Sequence, residues 1–104
     1  MSSPDWHDVA ALDDVWPDAG LAVTAAGQEL ALFRVGDEVF VTEAMCTHGQ
    51  ARLCEGYVEG AEVECPLHQA RFDLRTGIPS CGPATAPVKV FATRVQAGRV
   101  EVAI

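Results

Sequence analysis

The sequence predicts an all-β fold, and three observations carry that prediction. Apolar and polar residues alternate in short runs, at 61–65, 70–75, 88–93 and 99–104, which is the period of a strand with one buried face. Turn-forming pairs punctuate those runs: Ala26-Gly27, Gly36-Asp37, Thr76-Gly77 and Ala97-Gly98. No stretch sustains the 3.6-residue period of a long helix.

Taken in order, residues 1–20 carry Trp6, Val9, Leu12, Val15 and Trp16 among several aspartates. Their spacing partly fits a helix and partly a strand, and Trp6 to Ala10 is read as a short strand with a turn at Pro17. Trp6 and Trp16 are read as core or rim packing, and His7 as a solvated side chain. Leu21 to Thr24 is a strand, and Glu29 to Val35 is a second, apolar one containing Phe33. Gly36-Asp37 lies between two β-prone runs, a hairpin signal, with Val39 to Thr42 as the return strand. Together these form an antiparallel meander.

Between Glu43 and Gly82 the composition shifts. All four cysteines and two of the three histidines lie there. Within it, Val63 and Cys65 face away from Glu62 and Glu64, and Ala70, Phe72 and Leu74 away from Arg71, Asp73 and Arg75. The outward charges read as a solvated face. Residues 82–87, Gly-Pro-Ala-Thr-Ala-Pro, form an irregular loop. Val88, Val90 and Ala92 then alternate with Lys89, Phe91 and Thr93, and a final hairpin ends at Ile104. The expected organisation is one domain over 1–104. Residues 1–42 and 83–104 form a β-sandwich base, and a small β subdomain, 43–82, is inserted between them.

A chain of 104 residues suits one modest core. Seven basic against fifteen acidic residues leave a formal charge of −8. That balance argues against nucleic acid or an anionic membrane and for a more basic partner surface. No apolar run approaches the roughly 18 residues of a membrane span. The start, Met-Ser-Ser-Pro-Asp-Trp, has neither basic residues nor an apolar stretch, so no signal peptide and a cytoplasmic location are expected. In that compartment four cysteines suggest metal ligands rather than disulfides.

The ligands are concentrated in Cys46-Thr47-His48 and, after sixteen intervening residues, Cys65-Pro66-Leu67-His68. Two thiolates and two imidazoles suit tetrahedral zinc. They also suit a [2Fe–2S] cluster with two Cys on one iron and two His on the other. Zinc fingers usually pair Cys with Cys and His with His along the chain, whereas here each loop offers one of each. That order lets each loop reach both irons of a cluster.

These loops resemble the signature of the Rieske family: Cys46-Thr-His-Gly and Cys65-Pro-Leu-His-Gln. The resemblance is nearest to the small ferredoxins of aromatic-ring-hydroxylating dioxygenases of the naphthalene dioxygenase type. The runs Cys-Thr-His-Gly-Gln-Ala-Arg-Leu, Gly56-Tyr57-Val58-Glu59-Gly60 and Cys65-Pro-Leu-His-Gln-Ala-Arg-Phe-Asp carry it. It implies the Rieske fold and one [2Fe–2S] cluster per chain. Cys46 and Cys65 would bind the inner iron, and His48 and His68 the outer iron near the surface. Gly82-Pro83 would match the loop that covers the cluster from a third side.

Departures from respiratory members narrow the expectation. Their loop-bridging cysteines fall at Ala51 and Leu67, and their hydroxyl donors to the cluster, a Ser and a Tyr, fall at Ala70 and Phe72. Hydrogen bonds to cluster sulfur stabilise the reduced state, so their absence predicts a potential on the order of −150 mV, the low end for such sites. Two His ligands would also make the potential fall as pH rises through their pKa values. Cys54 and Cys81 are read as small buried hydrophobes, with a disulfide or regulatory thiol as the alternative. Gln50, Arg52 and Gln69 flank the loops in docking, loop-fixing or solvated roles.

The resemblance implies a one-electron carrier between an NAD(P)H-dependent ferredoxin reductase and a terminal oxygenase. It would be a monomeric component and not itself an enzyme. The chain shows no nucleotide-binding glycine motif, no Ser/His/Asp set and no mononuclear iron triad. A small subunit of another oxidoreductase, such as a nitrite reductase, and a zinc-stabilised module are the competing readings.

Overall fold

Four two-residue turns fold most of this chain into hairpins. The computed structural model describes residues 5–17, 19–45, 52–66, 70–80 and 86–104, together with the backbone of residue 81. Among the described residues the strands run β1 (Trp6–Ala11), β2 (Leu21–Ala25), β3 (Gln28–Val35), β4 (Glu38–Glu43), β5 (Tyr57–Glu59), β6 (Glu62–Glu64), β7 (Arg71–Asp73), β8 (Pro79–Cys81), β9 (Val90–Phe91), β10 (Thr93–Gln96) and β11 (Arg99–Ala103). Pairings Ala25↔Gln28, Val35↔Glu38, Glu59↔Glu62 and Gln96↔Arg99 leave two residues in each turn. Such short turns suit the twist of antiparallel strands. Among the described residues no helix is long and apolar enough to cross a membrane.

The strands form three antiparallel sheets: β1-β11-β10, β2-β3-β4-β9 and β5-β6-β7-β8. The middle sheet is buried on both faces, and β3 shows why. Leu30, Ala31, Leu32 and Phe33 are all fully buried. Leu30 and Leu32 join Val15, Val41, Phe91, Val100 and Val102 in a core against the first sheet. Ala31 and Phe33 point the other way, into a second core with Leu53, Val63, Cys65, Ala70, Phe72, Leu74 and Val88. A strand with two buried faces reads as a continuous apolar run, as Leu30-Ala31-Leu32-Phe33 does.

The meander β2-β3-β4 and the final hairpin stand where the sequence places them. Two short strands, β5 and β8, do not appear in the sequence reading. Each is three residues long, too short to show a period. Pro79 opens β8, an edge strand where a missing N–H costs no ladder bond. The alternation expected over 88–93 also needs correction. Val88 is buried in the second core and Phe91 in the first, because the chain leaves the middle sheet as β9 and enters the first sheet as β10. One apparent strand is therefore two, with Ala92 at the step. Trp16 is exposed rather than packed, whereas Trp6 lies on the rim with the Arg94 guanidinium 4.2 Å from its ring centre. His7 is half-buried.

Candidate metal centre

Three segments outside the described residues, 46–51, 67–69 and 82–85, are flanked by residues bordering the second core, and hydrogen bonds join the flanks of the first two. The loop over 46–51 leaves Met45 and returns at Arg52, which pair across its base. Leu53 N–H donates to the Ala44 carbonyl at 2.8 Å, and Ala44 N–H to the Glu29 carbonyl of β3 at 3.2 Å. The loop over 66–69 spans β6 and β7. Below it Glu64 pairs with Arg71, and Cys65 N–H donates to the Ala70 carbonyl at 2.6 Å. The third loop, 82–85, follows Cys81, whose backbone pairs with Arg71. The same residue, Arg71, thus stands beside the feet of two loops.

Cys65 is fully buried, and its core includes Leu53, Val63, Ala70 and Phe72. The alternation along β6 puts it there, with Val63 inward and Glu62 and Glu64 half-exposed. A buried thiol at the closed end of a loop suits a thiolate ligand on the protein side of a metal centre. Ala70 and Phe72, at the positions the resemblance matched to hydroxyl donors, are both buried and apolar. Cys46, His48 and His68 lie outside the described residues, as do Gln50, Ala51, Leu67, Gln69, Gly82 and Pro83. Among the described residues no three His, Cys, Asp or Glu side chains converge to hold a metal. The donor set, two thiols and two imidazoles on loops rooted in one core, fits a [2Fe–2S] cluster with mixed Cys and His ligation.

The charges around the feet are paired rather than simply solvated. Arg71 Nε donates to Glu64 at 3.2 Å, and Glu62 and Glu59 lie 3.9 Å from its other nitrogens. The hydrogen bond to Glu64 raises the Arg71 pKa further above its ordinary value, and the remaining carboxylates add to it. One cation thereby ties β5, β6 and β7 together beside the second loop. Arg52 Nη2 donates to the Glu29 carboxylate at 2.8 Å, which likewise raises the Arg52 pKa. Of the roles open to Arg52, loop fixing is the one its contacts show. Its partner Glu29 went unrecognised in the sequence, because a pair 23 residues apart has no periodic signal. Cys54 is half-buried against the second core, and burial pushes its thiol pKa up. It is a protonated packing group, not an activated nucleophile. The Cys81 side chain lies outside the described residues.

Comparison with known proteins agrees with this geometry. Residues 5–92 match the Rieske [2Fe-2S] domain. The anthranilate 1,2-dioxygenase ferredoxin subunit of Burkholderia cepacia is 49% identical over 94% of this chain and 91% of its own. The ferredoxin component of the naphthalene 1,2-dioxygenase system of Pseudomonas putida is 45% identical over 91% of each chain. In a solved complex of reduced oxygenase and oxidized ferredoxin in carbazole 1,9a-dioxygenase, the matching chain superposes with a TM-score of 0.87. It is 42% identical, over 94% of this chain and 92% of that one. Domains of this kind hold one [2Fe–2S] cluster, and the relatives are named as ferredoxin components, carriers of electrons rather than catalysts. From the loop feet, the buried cysteine and these matches together, the chain belongs to the Rieske [2Fe–2S] domain family.

Proposed function

We propose that this chain is the ferredoxin component of a multicomponent aromatic-ring-hydroxylating dioxygenase. It takes single electrons from an NAD(P)H-dependent ferredoxin reductase and passes them to a terminal oxygenase. The observation that carries this reading is the near full-length match, at 45–49% identity, to ferredoxin components of such systems. Cys46 and Cys65 are the thiolate ligands, on the inner iron, and His48 and His68 the imidazole ligands, on the outer iron. Residues 43–82 form the cluster-binding subdomain, and 1–42 with 83–104 the base. When bound, the [2Fe–2S] cluster supplies a centre that accepts and releases one electron at a time.

The remaining chemistry belongs to the chain. Cys65 presents its sulfur from a fully buried, apolar position, which lowers the local dielectric and limits ligand exchange. Ala70 and Phe72 bring no hydroxyl, so nothing at those positions favours the reduced state. The excess of carboxylates, −8 in formal charge, steers the chain toward basic partner surfaces and away from nucleic acid and anionic membranes. The chain acts as a monomer in the cytoplasm, where its thiols stay reduced.

Reconstitution tests this reading. Purified wild-type protein absorbs in the visible and supports aromatic hydroxylation by a dioxygenase supplied with a reductase. Cys65→Ser removes both properties. A colourless protein containing zinc contradicts the proposal. So does a protein that co-purifies only as a subunit of a nitrite reductase and passes no electrons to any ring-hydroxylating oxygenase.

A further inference from the structure

Glu29 holds both feet of the first ligand loop, by two different groups. Its backbone carbonyl accepts from Ala44 N–H at 3.2 Å, immediately before the loop. Its carboxylate accepts from Arg52 Nη2 at 2.8 Å, immediately after it. Glu29 is itself set by β3, whose next four residues are fully buried between two cores. The most rigidly packed strand of the fold therefore fixes the entry and exit of residues 46–51.

We propose that the Glu29–Arg52 pair is a positioning clasp for the metal centre. It holds the exit of the first loop against the middle sheet and so fixes how Cys46 and His48 are presented. The inference rests on the assignment of those two residues as ligands. Without the side-chain link, the exit foot keeps the Met45–Arg52 bridge, the Leu53 N–H bond to Ala44 and the packing of Leu53 in the core with Ala31 and Phe33 of β3. The loop base then stays closed and Leu53 stays packed, but Arg52, the residue next to the loop, loses its own tie to β3.

The strength of the pair is not the point. Both partners are about half exposed, on the wall of an open cleft shared with Ala22, Thr24 and Ala44. An exposed ion pair of that kind adds little to global stability. Its location matters instead. The Asp8–Arg99 pair makes the comparison possible: it is also 2.8 Å long and half exposed, but it joins β1 to β11 in the first sheet, at no ligand loop.

The test compares wild type, Arg52→Gln, Glu29→Gln, Arg52→Lys and Arg99→Gln, each purified with its cluster. Three quantities are read: the electron paramagnetic resonance spectrum of the reduced protein, the rate at which visible absorption bleaches, and the thermal midpoint. Arg52→Gln and Glu29→Gln are expected to shift or broaden the resonance and speed bleaching about three- to fivefold, the factor available to an exposed pair. Arg52→Lys restores most of the wild-type behaviour. Arg99→Gln leaves resonance and bleaching unchanged while moving the midpoint as much as Arg52→Gln does. If Arg52→Gln and Arg99→Gln behave alike in all three, the clasp is wrong although the ligand assignment stands. If wild type itself lacks the resonance of a mixed Cys and His cluster, the ligand assignment fails and the clasp with it.

Discussion

Ala26 and Ala97 sit in the left-handed region, at φ of 50° and 51°, each at the first position of a two-residue turn followed by glycine. A Cβ makes that conformation costly, and asparagine tolerates it best after glycine. Ala26→Asn and Ala97→Asn should each stabilise the fold by about 1 kcal/mol. The check is a urea midpoint that rises at unchanged slope; unchanged midpoints would show that the turns carry no such strain. Buried residues near the ligand loops make a different prediction. Ala70→Ser and Phe72→Tyr each place a hydroxyl where respiratory relatives of this fold carry one. Each should raise the reduction potential, read by voltammetry against wild type; unchanged potentials would show that neither hydroxyl reaches the cluster. At this scale the candidate ligands stand out in the sequence, since Cys and His at short spacing have few other uses. The ion pairs that support their loops were not, because Glu29 and Arg52, or Arg71 and Glu59, meet only through the pairing of separate strands.

Among elements, the terminal strands β1 and β11 are joined by a two-pronged ion pair, with Arg99 Nε and Nη2 both donating to the Asp8 carboxylate. Hydrogen bonding from Arg99 holds the Asp8 pKa below its ordinary value. A lowered folded-state pKa gives stability that is present above the unfolded value, about 3.9, and is lost as pH falls through the folded one. Wild type should therefore be more stable than Asp8→Asn at neutral pH, with the difference in thermal midpoint shrinking below about pH 4. The turn between β7 and β8 is set by a close approach. Gly77 has a φ of 79°, and a Cβ there would meet the Val88 carbonyl. Gly77→Ala should cost about 1–3 kcal/mol, read as a lower thermal midpoint. Strands with a clear face, such as β2 and β11, were legible from period and turn residues alone, and β3 as an apolar run between two turns. The three-residue β5 and β8 were not. The step from β9 to β10 was hidden because a chain changing sheets also changes which side faces a core.

At the scale of the whole molecule, the few cations are committed internally. Arg52, Arg71, Arg75, Arg94 and Arg99 each pair with a carboxylate, Arg34 donates to the Gly36 carbonyl, and Lys89 sits over the Phe91 ring. The unpaired excess of acid therefore faces outward, and association with a basic partner should weaken with salt as the screening length falls from about 10 Å to about 3 Å between 0.1 and 1 M. In a reconstituted system the apparent KM for this chain should rise on the order of tenfold over that range, with kcat little changed. Three sheets sharing two cores place the closed feet of both ligand loops on the apolar cluster that holds Cys65, Ala70 and Phe72. That setting makes the central claim, a Rieske centre without hydroxyl donors at two key positions, directly measurable. Voltammetry of the purified protein at neutral pH should give one reversible one-electron wave at about −150 mV, falling as pH is raised. A clearly positive potential, or no wave at all, would contradict it.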